Sequence, residues 1–214
     1  MRALGAKRKE TFRLKRLRHI EEEIRNLGFE VIAGVDEAGR GPLAGPLVAG
    51  ACILPPGFEL RGVNDSKKLT SELRYSLYQD IILHPDIHFG IGIVEAIEID
   101  TLNIHNATLV AMRRAYLQLD RAAQFILVDG CHTFDTDVPI EAVIDGDQKA
   151  QVISAASILA KVTRDHIMLG YHDLYPEYGF KNHKGYGTKE HLAAIDAHGL
   201  TPIHRKSFGR CKND

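Results

Sequence analysis

The chain has 214 residues, a formal net charge of −1 at pH 7 and three cysteines. This length suffices for one large domain with its own core, so no disulfide staples are needed. The cysteines lack the spacing of a disulfide framework or a zinc site. The N-terminus lacks the apolar core of a signal peptide, and no run reaches the roughly 20 apolar residues of a membrane span. The composition therefore excludes secreted disulfide scaffolds and membrane proteins, and we expect a cytoplasmic location.

The charge is distributed unevenly along the chain. Residues 1–30 hold nine Lys or Arg against five Asp or Glu, and residues 181–214 hold seven against three. Residues 31–180 hold eleven against twenty. An acidic centre with basic ends suits a metal site flanked by a phosphate-binding surface. Charges on solvated faces are the alternative, and the distribution alone does not separate the two.

The first half of the chain begins with a helix and continues into strands. Residues 7–26 carry apolar side chains at helical spacing, which predicts a basic amphipathic helix and makes residues 1–30 a basic N-terminal helical segment. Buried strands are predicted at 31–36 and 47–54, joined by a turn rich in glycine and proline. Ser71 is predicted as the N-cap of a helix that runs to about Leu83, and a strand with one small-residue face is predicted at 89–93.

In the second half, strands and helices alternate. A long helix is predicted over about 103–123, followed by short strands at 125–128 and 142–144. Further helices are predicted over about 148–170 and 188–198. Strands that precede helices, after an opening hairpin, favour an α/β fold with helices on both faces of the sheet.

Residues 35–45, with the sequence VDEAGRGPLAG, form the most informative segment. Asp36 and Glu37 are adjacent at the end of a predicted strand, where two like charges repel each other unless a cation offsets them. Mg²⁺ and Mn²⁺ prefer such hard oxygen ligands. The glycines beside Arg40 let main chain approach a ligand closely, and they match neither a dinucleotide-binding fingerprint nor a P-loop. A solvated turn is the alternative interpretation.

Two further carboxylates are placed where they could join this pair. Asp129 also ends a predicted strand, and the strand ends of an α/β sheet converge where its topology switches. Asp147 precedes a helix, so it either caps that helix or points into the same crevice. Asp165 lies roughly 27 Å farther along the predicted helix, at about 1.5 Å per residue, and is excluded.

Five segments occur in an order and spacing that resemble the ribonuclease HII family, the type 2 ribonucleases H, in its bacterial form. They are residues 35–45, 64–69, 127–130, 146–162 and 183–188. The resemblance covers roughly residues 30–208. It implies a ribonuclease H-like α/β fold, in which a mixed central sheet is flanked by helices and followed by a helical C-terminal part. Residues 31–214 would form one catalytic domain.

The resemblance implies a metal-dependent endoribonuclease. Its catalytic and metal-binding residues would be Asp36, Glu37, Asp129 and Asp147. Two Mg²⁺ or Mn²⁺ ions would activate water and neutralise the leaving 3′ oxygen. The implied enzyme hydrolyses the RNA strand of RNA–DNA hybrids and cuts 5′ of single ribonucleotides in duplex DNA, leaving 5′-phosphate and 3′-hydroxyl ends. It would serve ribonucleotide and primer removal in DNA replication and repair.

The resemblance also implies a set of substrate-binding residues. They are Gly39, Arg40, Gly41, Lys67, Lys68 and Tyr186. The main chain of residues 39–41 would read the ribose 2′-hydroxyl, and the lysines would contact phosphates. Tyr186 would stack on the adjoining deoxyribose, with Tyr178 as the competing tyrosine.

Several other polar residues have less specific interpretations. Two interpretations stay open for Lys149 and Lys161: each either contacts a phosphate or is a solvated surface side chain. The histidines predicted at the surface near nucleic acid are His183, His191 and His204. Ser154 and Ser157 lack the His and Asp partners that a serine nucleophile needs.

The expected partners are RNA–DNA hybrids and duplex DNA with embedded ribonucleotides. We expect a monomer, without membrane association and without a clear sliding-clamp peptide at the C-terminus. One alternative is a junction resolvase-like nuclease without ribose selectivity. Two features disfavour it, namely the glycine turn around Arg40 and the presence of Tyr186. The other is a nucleic-acid-binding module without catalysis, which the complete set of four acids disfavours.

Overall fold

A single mixed sheet forms the centre of the molecule. The computed structural model describes residues 11–63 and 69–211, so the predictions for Lys67 and Lys68 lie outside the described residues. The strands are β1 (Ile32–Ala38), β2 (Leu47–Ile53), β3 (His88–Val94), β4 (Phe125–Asp129) and β5 (Ile140–Val143). Their order across the sheet is β3-β2-β1-β4-β5. The first three strands pair antiparallel, whereas β4 runs parallel to both β1 and β5.

Helices precede, connect and follow the strands. They are α1 (His19–Asn26), α2 (Ser71–Leu83), α3 (Ala96–Leu117), α4 (Gln151–Leu174), α5 (Phe180–His183) and α6 (Lys189–His198). Residues 11–17 are also helical, and a turn at Arg18 separates them from α1. The helix predicted over 7–26 is therefore interrupted, and its first residues lie outside the described part of the chain. Among the described helices, none combines the length and the apolarity needed to cross a bilayer.

The long helix α3 departs from its predicted bounds. It begins at Ala96 instead of 103 and ends at Leu117 instead of 123. Asn103, with a φ of 64°, breaks the helix internally. The Asn103 side-chain oxygen accepts hydrogen bonds from the main-chain N–H groups of His105 (3.0 Å) and Asn106 (3.1 Å). Asn103 thus caps the second part of α3, which is the part that the apolar pattern predicts.

Helices cover both faces of the sheet, as predicted. Apolar residues of α4 pack on one face and those of α3 pack on the other. Glycines in the strands make the approach close: a Cβ on Gly34 would lie 2.2 Å from the main-chain carbon of Val152 in α4. On the opposite face, a Cβ on Gly92 would lie 1.9 Å from the carbonyl oxygen of Ala111 in α3. The small-residue face predicted for β3 is therefore the surface on which α3 packs.

The C-terminal part forms its own cluster, and here the prediction of surface histidines is wrong. His183, His191 and His204 are all buried. The rings of His183 and His191 stack with centroids 4.7 Å apart, and the Nε2 atoms of His191 and His204 are hydrogen-bonded at 3.1 Å. Burial lowers the pKa of His191 and, together with the charge of His191, lowers that of His204 to about 4. The lowered pKa values favour the neutral forms of His191 and His204, whose rings pack beside the aromatic ring of Phe180.

Candidate active site

Two parallel strands bring the first acids together. In the register of β1 and β4, Val35 lies opposite Val128, so the next residues, Asp36 and Asp129, are neighbours at the same end of the sheet. Asp129 ends its strand as predicted, whereas Asp36 lies two residues inside the end of β1 and also faces Gly50 of β2. The convergence of strand ends thus places two carboxylates from distant parts of the sequence side by side.

A cavity of about 340 Å³ opens at this edge of the sheet. Three of the four predicted acids line it, namely Asp36, Glu37 and Asp129. The segment Gly39–Arg40–Gly41 and the ring of Tyr186 line the same cavity. The structure therefore gathers most of the predicted catalytic and substrate-binding residues around one space.

The carboxylates perturb one another electrostatically. Burial raises the pKa of Asp36 well above its ordinary value, and the nearby charges of Glu37 and Asp129 raise it further. Hydrogen bonds from the Ser157 hydroxyl and from the Glu37 main-chain N–H (2.7 Å) act in the opposite direction. Burial also raises the pKa of Glu37, against the attraction of the Arg40 guanidinium at 3.4 Å. A divalent cation would stabilise the ionised carboxylates.

Asp147 belongs to a short 3₁₀ turn, Gly146–Gln148, beside Asp129. The Oδ1 atom of Asp129 accepts hydrogen bonds from the main-chain N–H groups of Gly146 (2.6 Å) and Asp147 (3.4 Å). Asp147 is buried but is not part of the cavity lining. Helix α4 begins at Gln151 with Ala150 at its N-cap position, so the interpretation of Asp147 as the helix cap is wrong.

Helix α4 adds side chains that the sequence motifs do not predict as a set. Ser157, Lys161 and Arg164 line the cavity. Their i, i+4, i+7 spacing puts them on one face of a helix whose first half is mostly apolar, and that spacing is the signal by which they could be found. Lys161 forms an ion pair with Asp165 at 2.8 Å. Lys149, by contrast, is exposed and donates to the carbonyl oxygen of Ile144.

The two glycines of the turn are required for different reasons. Gly39 has a φ of 98°, and a Cβ there would lie 2.2 Å from Nε of Arg164. Gly41 is not in the left-handed region, and a Cβ there would meet only Tyr186, at 3.6 Å. Gly39 is therefore fixed by the fold, whereas Gly41 leaves open space towards the cavity.

The two candidate tyrosines have different environments. Tyr186 is 45% exposed, and its ring centroid lies 6.0 Å from the guanidinium carbon of Arg164. Tyr178 is only 3% exposed, donates a hydrogen bond to the carbonyl oxygen of Gly199 (2.8 Å) and stacks on Phe180. Of the two, only Tyr186 lines the cavity.

The donor set suits hard divalent cations held at an open site. Among the described residues, no group of three or more His, Cys, Asp or Glu side chains is arranged to hold a metal ion by itself. Mg²⁺ is usually bound by one or two carboxylates together with water and substrate phosphates. Carboxylates that border an open cavity, and that repel one another in the absence of a cation, fit this arrangement.

Comparisons with known proteins agree with this geometry. Residues 33–211 match the family model described as ribonuclease HII. Ribonuclease HII of Clostridioides difficile is 50% identical over 201 residues, covering 94% of this chain and 78% of that protein. The Chlamydia caviae protein of the same name is 52% identical over 188 residues, covering 88% of each chain. The crystal structure of ribonuclease H2 from Pyrococcus horikoshii superposes with a TM-score of 0.70 at 30% identity, covering 85% of this chain and 95% of that one. The chain belongs to the ribonuclease HII family and is a ribonuclease H-type hydrolase.

Proposed function

We propose that the protein is a metal-dependent endoribonuclease that cleaves RNA in RNA–DNA hybrids and cuts 5′ of single ribonucleotides in duplex DNA. The observation that carries this proposal is the parallel pairing of β1 with β4, which puts Asp36 beside Asp129 in a cavity shared with the glycine turn and Tyr186. Gathered anions are unfavourable for simple binding of a polyanion, whereas they suit cation-assisted hydrolysis of a phosphodiester.

Four carboxylates would hold the cations, namely Asp36, Glu37, Asp129 and Asp147. Bound Mg²⁺ or Mn²⁺, two ions per site, would supply Lewis-acid activation of water and neutralisation of the leaving 3′ oxygen. The Asp129 carboxylate is already oriented by the N–H groups of Gly146 and Asp147, so its free oxygen is the one available to a ligand. The products would be 5′-phosphate and 3′-hydroxyl ends.

Ribose recognition is assigned to the other side chains and main chain of the cavity. Gly41 has no side chain between its main chain and the cavity, so a sugar 2′-hydroxyl can approach closely. Arg40 and Lys161 would neutralise phosphates, with Lys67 and Lys68 as further phosphate contacts. Tyr186 would pack on the deoxyribose that follows the ribonucleotide. We propose that the enzyme acts as a cytoplasmic monomer in ribonucleotide and primer removal.

The test is cleavage of a labelled DNA duplex that contains one ribonucleotide, in Mg²⁺, in Mn²⁺ and with chelator. An all-DNA duplex is the control, and an RNA–DNA hybrid tests the other proposed substrate. A single cut 5′ of the ribonucleotide, abolished by chelator, is expected. Cleavage of the all-DNA duplex would favour the resolvase-like alternative, and binding without turnover in either metal would favour the non-catalytic module.

A further inference from the structure

Two buried arginines hold the loop formed by residues 39–46. Arg164 is 1% exposed and Arg205 is 0% exposed. In the described part of the chain, every hydrogen bond of the two guanidinium groups ends on a main-chain carbonyl oxygen. Fully buried arginines are usually paired with carboxylates, because an uncompensated charge is costly to bury. Five of their six carbonyl partners belong to the loop and the sixth is that of Lys184, so two costly buried charges are used to hold one region of the main chain.

Arg205 forms hydrogen bonds with both ends of the loop. Its Nη2 donates to the carbonyl oxygen of Gly39 at 2.6 Å, and its Nη1 donates to that of Arg40 at 3.1 Å. Its Nε donates to the carbonyl oxygen of Gly45 at 3.0 Å. The guanidinium is a planar fork with fixed donor directions, whereas a lysine ammonium is a compact point charge. A lysine at position 205 would keep the charge and lose this simultaneous fixation.

Arg164 connects the same loop to the tyrosine segment. Its Nε donates to the carbonyl oxygen of Pro46 at 2.9 Å, and its Nη2 donates to those of Ala44 (3.2 Å) and Lys184 (3.0 Å). Lys184 lies two residues before Tyr186, whose ring lies near the same guanidinium. The two elements assigned to sugar recognition are therefore positioned relative to each other through one side chain.

The occupied carbonyl groups determine which main-chain groups remain for a ligand. The carbonyl oxygens of Gly39 and Arg40 are directed to Arg205, on the protein side of the loop. Among the described residues, the main-chain groups of Gly41 form no hydrogen bond, and Gly41 lines the cavity. The guanidinium of Arg205 thus fixes the loop with the main chain of Gly41 at the cavity and with the carbonyl oxygens of Gly39 and Arg40 bound to Arg205.

We propose that Arg205, supported by Arg164, is a positioning residue for ribose recognition: it holds residues 39–41 at the geometry that distinguishes a ribonucleotide from a deoxyribonucleotide. This inference rests on the proposed function. Arg205 contributes no atom to the cavity lining, so it acts through the main chain of Gly39 and Arg40. A merely structural role predicts an equal loss for every substrate, whereas a positioning role predicts a loss confined to ribose.

The test is a thermodynamic cycle in which the residue at position 205 and the 2′-hydroxyl of the substrate are changed separately and together. Dissociation constants are measured by fluorescence anisotropy in an Asp36→Asn background, which avoids turnover, for matched duplexes with either a ribonucleotide or a deoxyribonucleotide at one position. With Arg205 intact, the ribonucleotide duplex binds more tightly. In Arg205→Lys we expect this preference to shrink at least about fivefold, with all-DNA binding changed less than about twofold. Equal weakening of both duplexes would overturn the proposal.

Further variants distinguish a loss of ribose preference from a loss of folding. Thermal unfolding reports whether Arg205→Lys folds, and Arg164→Lys, which loses the bonds to Ala44, Pro46 and Lys184, provides a second test with the same expected direction. Arg114→Gln is the matched control, because Arg114 also donates to a carbonyl oxygen, that of Ile93 in the edge strand β3, and does not line the cavity. It should leave the preference unchanged, and a loss as large as that in Arg205→Lys would overturn the proposal. Absence of any ribose preference with Arg205 intact would refute both the proposed ribose reading and this inference.

Discussion

Asp36 is the least exposed of the four predicted carboxylates. It is 5% exposed, it accepts the Glu37 N–H at 2.7 Å, and it lies next to two other acids. An asparagine there keeps the volume and the acceptor oxygen but removes the negative charge. The substitution therefore separates the electrostatic role of Asp36 from its structural role.

We expect Asp36→Asn to reduce turnover more than about 100-fold, because even residues that only orient metal ligands contribute 10–100-fold. Duplex binding should stay within about threefold, and the metal-free protein should be more stable because a like-charge repulsion is removed. Single-turnover cleavage, anisotropy and thermal unfolding measure the three quantities. Asp120→Asn is the control, since Asp120 is exposed and pairs with His88 outside the cavity. Parallel loss of binding and turnover would instead make Asp36 a structural residue.

Gly39 and Gly41 form a matched pair for separating fold from function. We expect Gly39→Ala to lower the free energy of unfolding by at least about 1–3 kcal/mol, because its φ of 98° is unfavourable for alanine and a Cβ would meet Arg164. Gly41→Ala should change stability by less than about 0.5 kcal/mol while lowering cleavage at a ribonucleotide, because the methyl group fills space beside the cavity. Urea unfolding and cleavage rates test both. Full activity in Gly41→Ala would exclude close approach at this position.

At the scale of elements, helix α1 supplies the cap that α4 lacks. Ala150, at the N-cap position of α4, has no side-chain oxygen. The Oε1 atom of Glu21 accepts the Val152 N–H at 3.0 Å instead. Burial raises the pKa of Glu21 to about 7, against the hydrogen bond from Val152 and the charge of Arg25. The N-terminal helix thus stabilises the first turn of the helix that carries Ser157.

The raised pKa of Glu21 predicts a specific pH dependence of stability. Between about pH 4.5 and 7 the unfolded chain loses this proton while the folded protein keeps it, so the Glu21 contribution falls as pH rises and is constant above pH 7. Glu21→Gln keeps the acceptor and cannot ionise. The stability of the variant relative to the parent should therefore rise by about 3 kcal/mol from pH 4.5 to 8. Urea unfolding across this range measures the difference, and exposed Glu23→Gln should show less than about 0.5 kcal/mol. A pH-independent difference would contradict the assignment.

Local patterns predict the strands and most helices because burial repeats with the period of each element. The same patterns place Asp36, Glu37 and Asp129, since acids at strand ends are exceptional in an apolar run. They do not predict the burial of His191 and His204, because a neutral imidazole is recognised as core only when its partners are known. They also do not predict the cap from Glu21 or the fork of Arg205, because both connect distant segments and leave no periodic signal.

At the scale of the whole molecule, the proposed binding of cations in the cavity would be linked to protonation of its carboxylates. Burial and mutual repulsion raise the pKa values of Asp36 and Glu37, so the metal-free protein retains protons that an ionised carboxylate would lack. These groups favour the metal-free fold at low pH, and their contribution falls as pH rises through the raised values. Binding of a divalent cation requires the ionised forms and therefore releases protons.

We expect Mg²⁺ to raise the melting temperature and the rise to be larger at pH 8 than at pH 6. Calorimetric titration in buffers of different ionisation enthalpy should show proton release on Mg²⁺ binding, and this release should shrink as pH rises. Asp36→Asn should reduce that release, and Asp120→Asn should not. Mg²⁺ binding without proton release would mean that the cation does not contact these carboxylates.

The hydrogen bonds of Arg205 also bear on the order in which the enzyme becomes competent during synthesis. The four predicted acids all precede residue 148, whereas the guanidinium that holds the carbonyl groups of Gly39 and Gly45 belongs to residue 205 and is synthesised later. A nascent chain can therefore assemble the acidic sheet edge before the adjacent loop has its hydrogen bonds with Arg205. Under the proposed role of Arg205, discrimination between ribose and deoxyribose would be acquired only after residue 205 has left the ribosome and docked on the loop.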